Sequence, residues 1–408
     1  MNFTQDQKNA IQAVETMVFE GHRYLVIDGS AGTGKSTLIK EIIRKLGKEW
    51  VAAAKLIDTR LPNIALTATT NKAADNLFIS TRKETKTIHS FLGLRLQNGK
   101  MSYPEKPYKI FINTLLIIDE YSYIDRDLLA YITRAMGSNS HVVFLGDHCQ
   151  LSPVNARSIP VVDRKWPTVY LKEQVRQETT TLKTIAEKLK KYVSDGEFPE
   201  LTPDGLSFIH YEEKDEDAFT DALIQSFKDG SSRFISYTNE RTVDVSKFLF
   251  EEFKGRAEYE AGDYVTNNRH HSGYSTSIKT DATVHLIHVE PVKQTLYNRD
   301  RSDSITVEGQ LVNTAYISGL FIPNDYTIFN SINPDELDIQ SKVKYEKEWV
   351  DFRPQYACTV HKSQGSTYDQ VFIDLTDFSK IYKEDVLARL LYVAMSRARK
   401  KIHVIGHL

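Results

Sequence analysis

Two cysteines, Cys149 and Cys358, are all that 408 residues contain, too few for a disulfide framework or a cysteine-rich zinc site. A reducing compartment is the simpler reading. An excess of charge is missing too: 52 Lys and Arg stand against 54 Asp and Glu, a formal net charge of -2. Without global basicity, any polyanion has to be met in a local groove. No uninterrupted apolar stretch approaches the roughly 20 residues that cross a bilayer. Residues 1–20 read as an amphipathic helix with charges throughout, so the expectation is a chain neither secreted nor inserted in a membrane. Repeats and low-complexity tracts are absent, and 41% hydrophobic with 11% aromatic content is too high for intrinsic disorder. The chain should therefore fold, with length for roughly two to three domains.

What is present first is a rhythm. Short apolar runs at 24–27, 64–66, 115–118 and 142–145 alternate with polar or glycine punctuation and helix-period segments. Strands of this kind, buried on both faces, predict a parallel sheet with right-handed helical crossovers, an α/β fold. The pattern returns near the C-terminus, where runs at 371–374 and 402–405 bracket a helix over about 384–397. Residues 234–237 read as a further strand, with a helix after Asn239. Residues 255–349 are rich in β-branched residues and turn formers, which predicts a small β-barrel-like insertion in the second α/β unit. A shorter insertion is expected within 92–109, where Asn98-Gly99 between Leu96 and Met101 signals a type I′ hairpin.

Gly29-Ser30-Ala31-Gly32-Thr33-Gly34-Lys35-Ser36 fits G-x-x-x-x-G-K-[ST], follows the run 24–28 and opens a helix at Thr37. The glycines let backbone N–H groups curl around a phosphate at the positive end of that helix. Lys35 reaches the β and γ phosphates, and the Ser36 hydroxyl takes Mg²⁺. The run Leu115-Leu116-Ile117-Ile118 delivers Asp119-Glu120 to a strand's C-terminal end, where ligands of α/β sheets gather. Asp119 would hold magnesium through water, and Glu120 would orient and deprotonate an attacking water.

Gly146-Asp147-His148-Cys149-Gln150 follows the next buried run and would bring the Gln150 amide near the γ-phosphate; a plain turn is the bland alternative. Gln7 has two readings, since Thr4-Gln5-Asp6-Gln7 fits a capping box while the amide would equally suit adenine. Phosphoryl transfer needs cations on the developing charge, and Arg176 and Arg397 are well placed by sequence to supply them.

Taken in order, residues 4–10, 29–36, 67–74, 87–91, 119–120, 146–153, 171–176, 359–365 and 392–399 resemble the motifs of superfamily 1B helicases, the Dda-like, RecD-like and Pif-like group. The resemblance covers nearly the whole chain. It implies two RecA-like P-loop domains with parallel sheets: 1A at 1–91 and 110–175, and 2A at 176–254 and 350–408. It also implies a hairpin or pin domain 1B at 92–109 and an SH3-like barrel 2B at 255–349 that braces the pin.

ATP with Mg²⁺ would occupy the cleft between 1A and 2A. By this likeness Ala31, Gly32, Thr33, Gly34, Lys35, Ser36 and Thr37 cradle the phosphates, Gln7 reads adenine and Gln150 senses the γ-phosphate. Arg176 and Arg397 act as arginine fingers, and Gln364 and Gly365 form the far wall. Single-stranded DNA would be gripped by Thr69, Asn71, Thr87, His89, Ser152, Pro153, Thr359 and His361, whose donors suit sequence-indifferent phosphate and sugar contacts. Leu96, Met101 and Tyr103 are the pin candidates.

The implied activity is ATP-driven 5′ to 3′ translocation on single-stranded DNA with separation of a fork or tailed duplex. A monomer in the cytoplasm (that of a host cell if the chain is phage-encoded), working with replication or single-strand-binding proteins, completes that expectation. Two alternatives stand beside it. One is a translocase that strips proteins and unwinds weakly; the other is a nucleotide-gated binding protein without turnover.

Overall fold

The apolar runs expected as buried strands lie side by side. The computed structural model describes residues 3–56, 60–94, 96–97, 100–153, 156, 158–173, 179–228, 231–274 and 276–407. The chain divides into two compact units, residues 1–237 with 360–408, and residues 238–359.

In the first unit one sheet runs, in spatial order, through Thr85–Thr87, Asn63–Ala68, Thr114–Asp119, His141–Gly146, Tyr24–Gly29 and Thr168–Leu171. Every neighbouring pair is parallel. Alternation along each strand divides its side chains between two cores. Leu116, Ile118, Val142 and Phe144 enter one, whereas Leu115, Ile117, Val143 and Leu145 enter the other. All eight are fully buried, each worth about 1.5–3 kcal/mol of transfer free energy, which is why these runs carry no polar residue.

The helix Gln5–Glu20 covers the second of these cores with Ala10, Ile11, Val14 and Met17. It starts in a capping box made by Thr4 and Gln7 and stops at Gly21, whose φ of +79° suits glycine. The helix Lys35–Gly47 packs on the same core through Leu38, Ile39 and Ile42. Because the sheet is parallel, the C-terminal ends of Tyr24–Gly29, Thr114–Asp119 and His141–Gly146 open at one edge, and the loops that follow them meet there.

A second parallel sheet in the same unit contains, side by side, Ser232–Ser236, Tyr368–Asp374, Ala398–Ile405 and Phe208–Tyr211. The helix Glu384–Met395 buries every residue from Leu390 to Met395, and Ser396 caps it, so it ends two residues before the expected 397. The first residues of the parallel strands share an edge, which brings Arg233, Tyr368 and Arg397 to one side of this sheet.

The second unit holds an antiparallel sheet ordered Leu320–Pro323, Ser304–Thr314, Thr283–Tyr297, Tyr264–Asn267 and Phe352–Arg353. Leu286, Val312, Phe352 and Val265 centre one small core. Leu296, Phe321, Tyr345 and Trp349 centre another. Tyr345 comes from a helix, Ile339–Glu348, that the β-rich reading of 255–349 did not include; Asp338 caps it by accepting from Ser341 N–H. Its apolar face is carried by few residues, so helical periodicity is faint in the sequence.

In the first unit Leu96–Gln97 pairs antiparallel with Lys100–Met101 in the register Leu96 to Met101, the strand pairing that the expected hairpin requires. Its turn, Asn98-Gly99, lies outside the described residues.

Candidate active site

The loop between Gly29 and Lys35 is built for close approach. A side chain at Gly29 would meet Thr33 Oγ1 at 2.7 Å and Leu171 Cβ at 2.8 Å. Gly32 and Gly34 take φ of +89° and +83°, a left-handed backbone that turns the chain into the helix Lys35–Gly47. Thr33 faces inward, its hydroxyl donating to Ser30 O at 3.0 Å. Lys35 Nζ donates to Gly29 O at 2.7 Å and Ser30 O at 3.2 Å, so the ammonium already sits over the loop. Gln7 braces it from behind: Nε2 donates to Thr33 O at 3.0 Å, while Oε1 accepts from Thr4 N–H at 3.1 Å. Both ends of that amide are in use, and the capping-box reading of Gln7 is realised.

Ala31, Gly32, Gly34, Lys35, Ser36 and Thr37 line a cavity of about 730 Å³ together with Asp119, Glu120 and Gln150. Asp119 Oδ1 accepts from Glu120 N–H at 2.9 Å, and burial raises its carboxyl above the ordinary range. Glu120 is pushed up to about 7, first by burial and then by the neighbouring Asp119 charge. Its φ of +59° turns the side chain at the strand end, and its Oε2 is buried without a hydrogen-bond partner among the described residues. A lone carboxylate oxygen in that position is an acceptor waiting for a donor.

The opposite wall comes from the second sheet: Gly365, Ser366, Thr367, Tyr368, Arg233 and Arg397. Arg397 is 2% exposed and donates to Val393 O, Ser396 Oγ and Ser366 O at 3.0, 2.8 and 3.4 Å. A side chain at Gly365 would lie 3.9 Å from Glu120 Oε1, so the two walls meet at the acidic pair.

Side-chain bonds join the walls. Gln364 Nε2 donates to Gln150 Oε1 at 2.8 Å, and Tyr123 Oη donates to Gln364 Oε1. Arg389 Nη1 donates to His148 O and Gln150 O at 2.5 and 2.6 Å, and Tyr392 Oη to Asp147 Oδ2 at 2.5 Å. Asn76 Nδ2 donates to Gly365 O at 3.1 Å.

The residues expected on a nucleic acid strand are placed as follows. Thr69 Oγ1 donates to Glu120 O, and Asn71 opens the helix Asn71–Thr81. Thr87 caps Ile88–Phe91 by accepting from Ser90 N–H. His89 Nε2 lies 3.3 Å from Tyr103 Oη. Ser152 Oγ donates to Ala156 O, and Pro153 is buried. His361, on Val360–Ser363, offers its carbonyl to Tyr123 Oη at 3.2 Å, and Thr359 closes the strand Ala357–Thr359 of the second unit. Burial holds both imidazoles, His89 and His361, below the usual histidine range.

Of the pin candidates, Met101 and Tyr103 pack against the core that contains Tyr131, with the Tyr103 and Tyr131 rings 6.3 Å apart. The Leu96 side chain lies outside the described residues, as does Arg176.

Sequence reasoning missed Arg233, Tyr123, Asn76 and Arg389. Each is an isolated polar or aromatic residue whose importance comes from what the fold places opposite it. The one available signal was a charged residue, Arg233, at the start of an otherwise buried strand.

The residues suit a nucleotide. A lysine over the loop, glycines at positive φ that turn it into a helix start and a carboxylate oxygen unpartnered among the described residues belong to the donor and acceptor set that a phosphate chain and a water require. Ser36 and Asp119 supply the hard oxygens that Mg²⁺ prefers.

A cradle of this kind at the edge of a parallel sheet defines a P-loop α/β protein. Residues 2–201 match the AAA domain, and residues 354–405 match the UvrD-like helicase C-terminal domain. The ATP-dependent DNA helicase PIF1 of Emericella nidulans is 36% identical over 168 residues, covering 36% of this chain and 20% of that protein. The ATP-dependent DNA helicase dda of Enterobacteria phage T4 is 32% identical over 157 residues, covering 38% of this chain and 33% of that protein. The matched part is thus a third or less of these relatives' length.

The crystal structure of Pif1 helicase from Bacteroides, in complex with ADP-AlF3 and ssDNA, shares the fold. Its TM-score is 0.52 and its identity 17%, over 99% of this chain and 92% of that one. The chain is related to the Pif1, RecD and Dda helicases, as the order of its motifs implies. Among the described residues no helix is long and apolar enough to cross a membrane.

Proposed function

We propose that the chain is an ATP-dependent DNA helicase that moves 5′ to 3′ on single-stranded DNA and separates a fork or tailed duplex. The observation that carries the reading is Glu120 Oε2, buried and without a partner among the described residues, in the cavity that Lys35 and Arg397 share. In this reading Lys35 holds the β and γ phosphates, and the N–H groups of 31–37 cradle them. Glu120 takes a proton from the attacking water while the Gln150 amide holds that water's partner phosphate. Arg397 and Arg176 neutralise charge that develops during transfer. Ser36 and, through water, Asp119 would hold Mg²⁺, which would supply positive charge against the phosphates.

Residues 1–91 with 110–175 then form RecA-like domain 1A, and 176–254 with 350–408 form 2A; 92–109 is the hairpin 1B and 255–349 the SH3-like 2B. Support for this division comes from the two parallel sheets and the antiparallel one, and from the relatives' names. Contacts such as Gln150 with Gln364 bind the walls of the cavity to each other, so turnover changes how they hold together, and the strand grips at Thr69, Asn71, Thr87, His89 and His361 change with them. The protein acts on DNA as a monomer in the cytoplasm.

Steady-state ATP hydrolysis with and without a single-stranded oligonucleotide tests the reading. Strong stimulation is expected, and equal rates would overturn it. Duplexes with only a 5′ or only a 3′ tail test direction, and unwinding solely from the 3′ tail would refute the superfamily 1B assignment. A second reading, a translocase that unwinds weakly, is favoured by one observation: Met101 and Tyr103 are packed against the core. Unchanged unwinding by Met101→Ala would support it.

A further inference from the structure

Arg233 belongs to none of the segments that carry the family likeness, yet it stands in the cavity. It is the second residue of the strand Ser232–Ser236, paired in register with Val371, and it lines the same space as Lys35, Glu120 and Arg397. Its guanidinium carbon lies 5.1 Å from the centre of the Tyr368 ring. Its Nε is buried and has no hydrogen-bond partner among the described residues.

Three of the cations that line this cavity differ in what holds them. Lys35 donates to Gly29 O and Ser30 O, and Arg397 to Val393 O, Ser396 Oγ and Ser366 O. Arg233 is held by a ring face. Stacking fixes the plane of a guanidinium and leaves its N–H edge pointing outward, in the fork geometry that matches two phosphate oxygens. A desolvated guanidinium nitrogen with no acceptor is costly unless an anion completes it. The position of the ring says which anion. Tyr368 N–H donates to Arg397 O at 3.0 Å, and the adjoining Gly365 faces Glu120 Oε1, so Arg233 belongs to the part of the wall that faces the acidic pair.

We propose that Arg233 is a ligand of the nucleotide's terminal phosphate, a cation offered by the second sheet beside Arg397. The proposal rests on the nucleotide reading above and adds a catalytic residue to it. Arg233 then contributes to telling ATP from ADP, because its target is the phosphate that ADP lacks.

The test is equilibrium binding to the full chain with Mg²⁺, using a non-hydrolysable ATP analogue and ADP as competitors of a fluorescent nucleotide. Wild type, Arg233→Ala, Arg233→Lys and Lys35→Ala are compared, with urea midpoints reporting folding. Arg233→Ala is expected to weaken the analogue about tenfold and ADP less than about threefold, with Arg233→Lys between wild type and Ala. Lys35→Ala weakens both nucleotides. Unchanged binding of the analogue by Arg233→Ala would overturn the proposal, and equal weakening of analogue and ADP would overturn the terminal-phosphate assignment. Should the alanine variant fail to fold, Arg233→Lys decides by the same ratio. Failure of the wild type to bind either nucleotide would sink the nucleotide reading itself, an outcome distinct from these.

Discussion

Gln364 reaches across the cavity walls to place its amide nitrogen 2.8 Å from Gln150 Oε1, with both side chains buried. Tyr123 Oη donates to the other end of the same Gln364 amide, so the direction of each donor is set. Gln150 Oε1 is thus occupied by the opposite wall, and Gln150 lines the cavity.

Removing the first donor should loosen that arrangement without touching the phosphate cradle. A neutral hydrogen bond in a buried network contributes about 0.5–1.5 kcal/mol, so Tyr123→Phe is expected to lower kcat for ATP hydrolysis about three- to tenfold. KM for ATP should stay within about twofold, since Lys35 and the loop glycines are untouched. An unchanged kcat in steady-state assays would show that Gln150 does not depend on this chain of bonds.

Lys35 and Glu120 should separate binding from turnover. Lys35→Ala removes the ammonium over the loop and should abolish hydrolysis, whereas Glu120→Gln should bind ATP yet turn it over about 10² to 10⁴ times more slowly. The glutamine exchange also removes a carboxyl that burial and Asp119 raise to about 7. A raised carboxyl binds protons more tightly folded than unfolded, so it lowers stability as pH climbs through 7. In EDTA at pH 8, Glu120→Gln should therefore unfold at higher urea than wild type. Normal turnover in this variant would place the base elsewhere.

The parts legible in the sequence are those whose signal is local. Leu115–Ile118 announces a strand because both of its faces are buried, and Gly29–Ser36 announces a phosphate loop because backbone demands dictate glycine at fixed spacing. The strand Thr168–Leu171 hid because it lies at the sheet edge with Thr168 and Tyr170 exposed, which leaves no buried run to read. Gln7 shows how one residue type serves two purposes: its spacing from Thr4 foretold the cap, while its bond to Thr33 O appears only when the helix meets the loop. Tyr123 and Arg389 were illegible for the same reason, since their partners lie far along the chain and nothing beside them marks the pairing.

Gly146 ends its strand against a ring. A Cβ there would meet Tyr121 Cδ1 at 2.6 Å and Cγ at 3.0 Å, and Tyr121 is fully buried with its hydroxyl donating to Asp28 at 3.1 Å. Gly146→Ala should lower stability by about 1–3 kcal/mol, read from urea unfolding, because the ring has nowhere to shift. Gly47 is the control. A Cβ at that helical position meets nothing within 4 Å, so Gly47→Ala should be neutral or stabilising by up to about 1 kcal/mol. Equal effects of the two exchanges would contradict the packing described at Tyr121.

His148 ties the loop after His141–Gly146 to the strand Tyr24–Gly29, its Nδ1 lying 2.6 Å from Asp28 Oδ2. The hydrogen bond to Asp28, with a smaller one to Cys149, raises the imidazole to about 10 against an ordinary value near 6.5. A histidine raised in the folded state binds its proton more tightly there. Its contribution to stability is therefore complete below about pH 6.5 and disappears as pH climbs through about 10. The difference in urea midpoint between wild type and His148→Gln should accordingly be largest near pH 6 and shrink steadily to pH 10. The ring is partly exposed, so added salt should reduce the difference at every pH. A difference that stays flat from pH 6 to 10 would mean that the imidazole is uncharged beside Asp28 and that the contact acts as a neutral hydrogen bond.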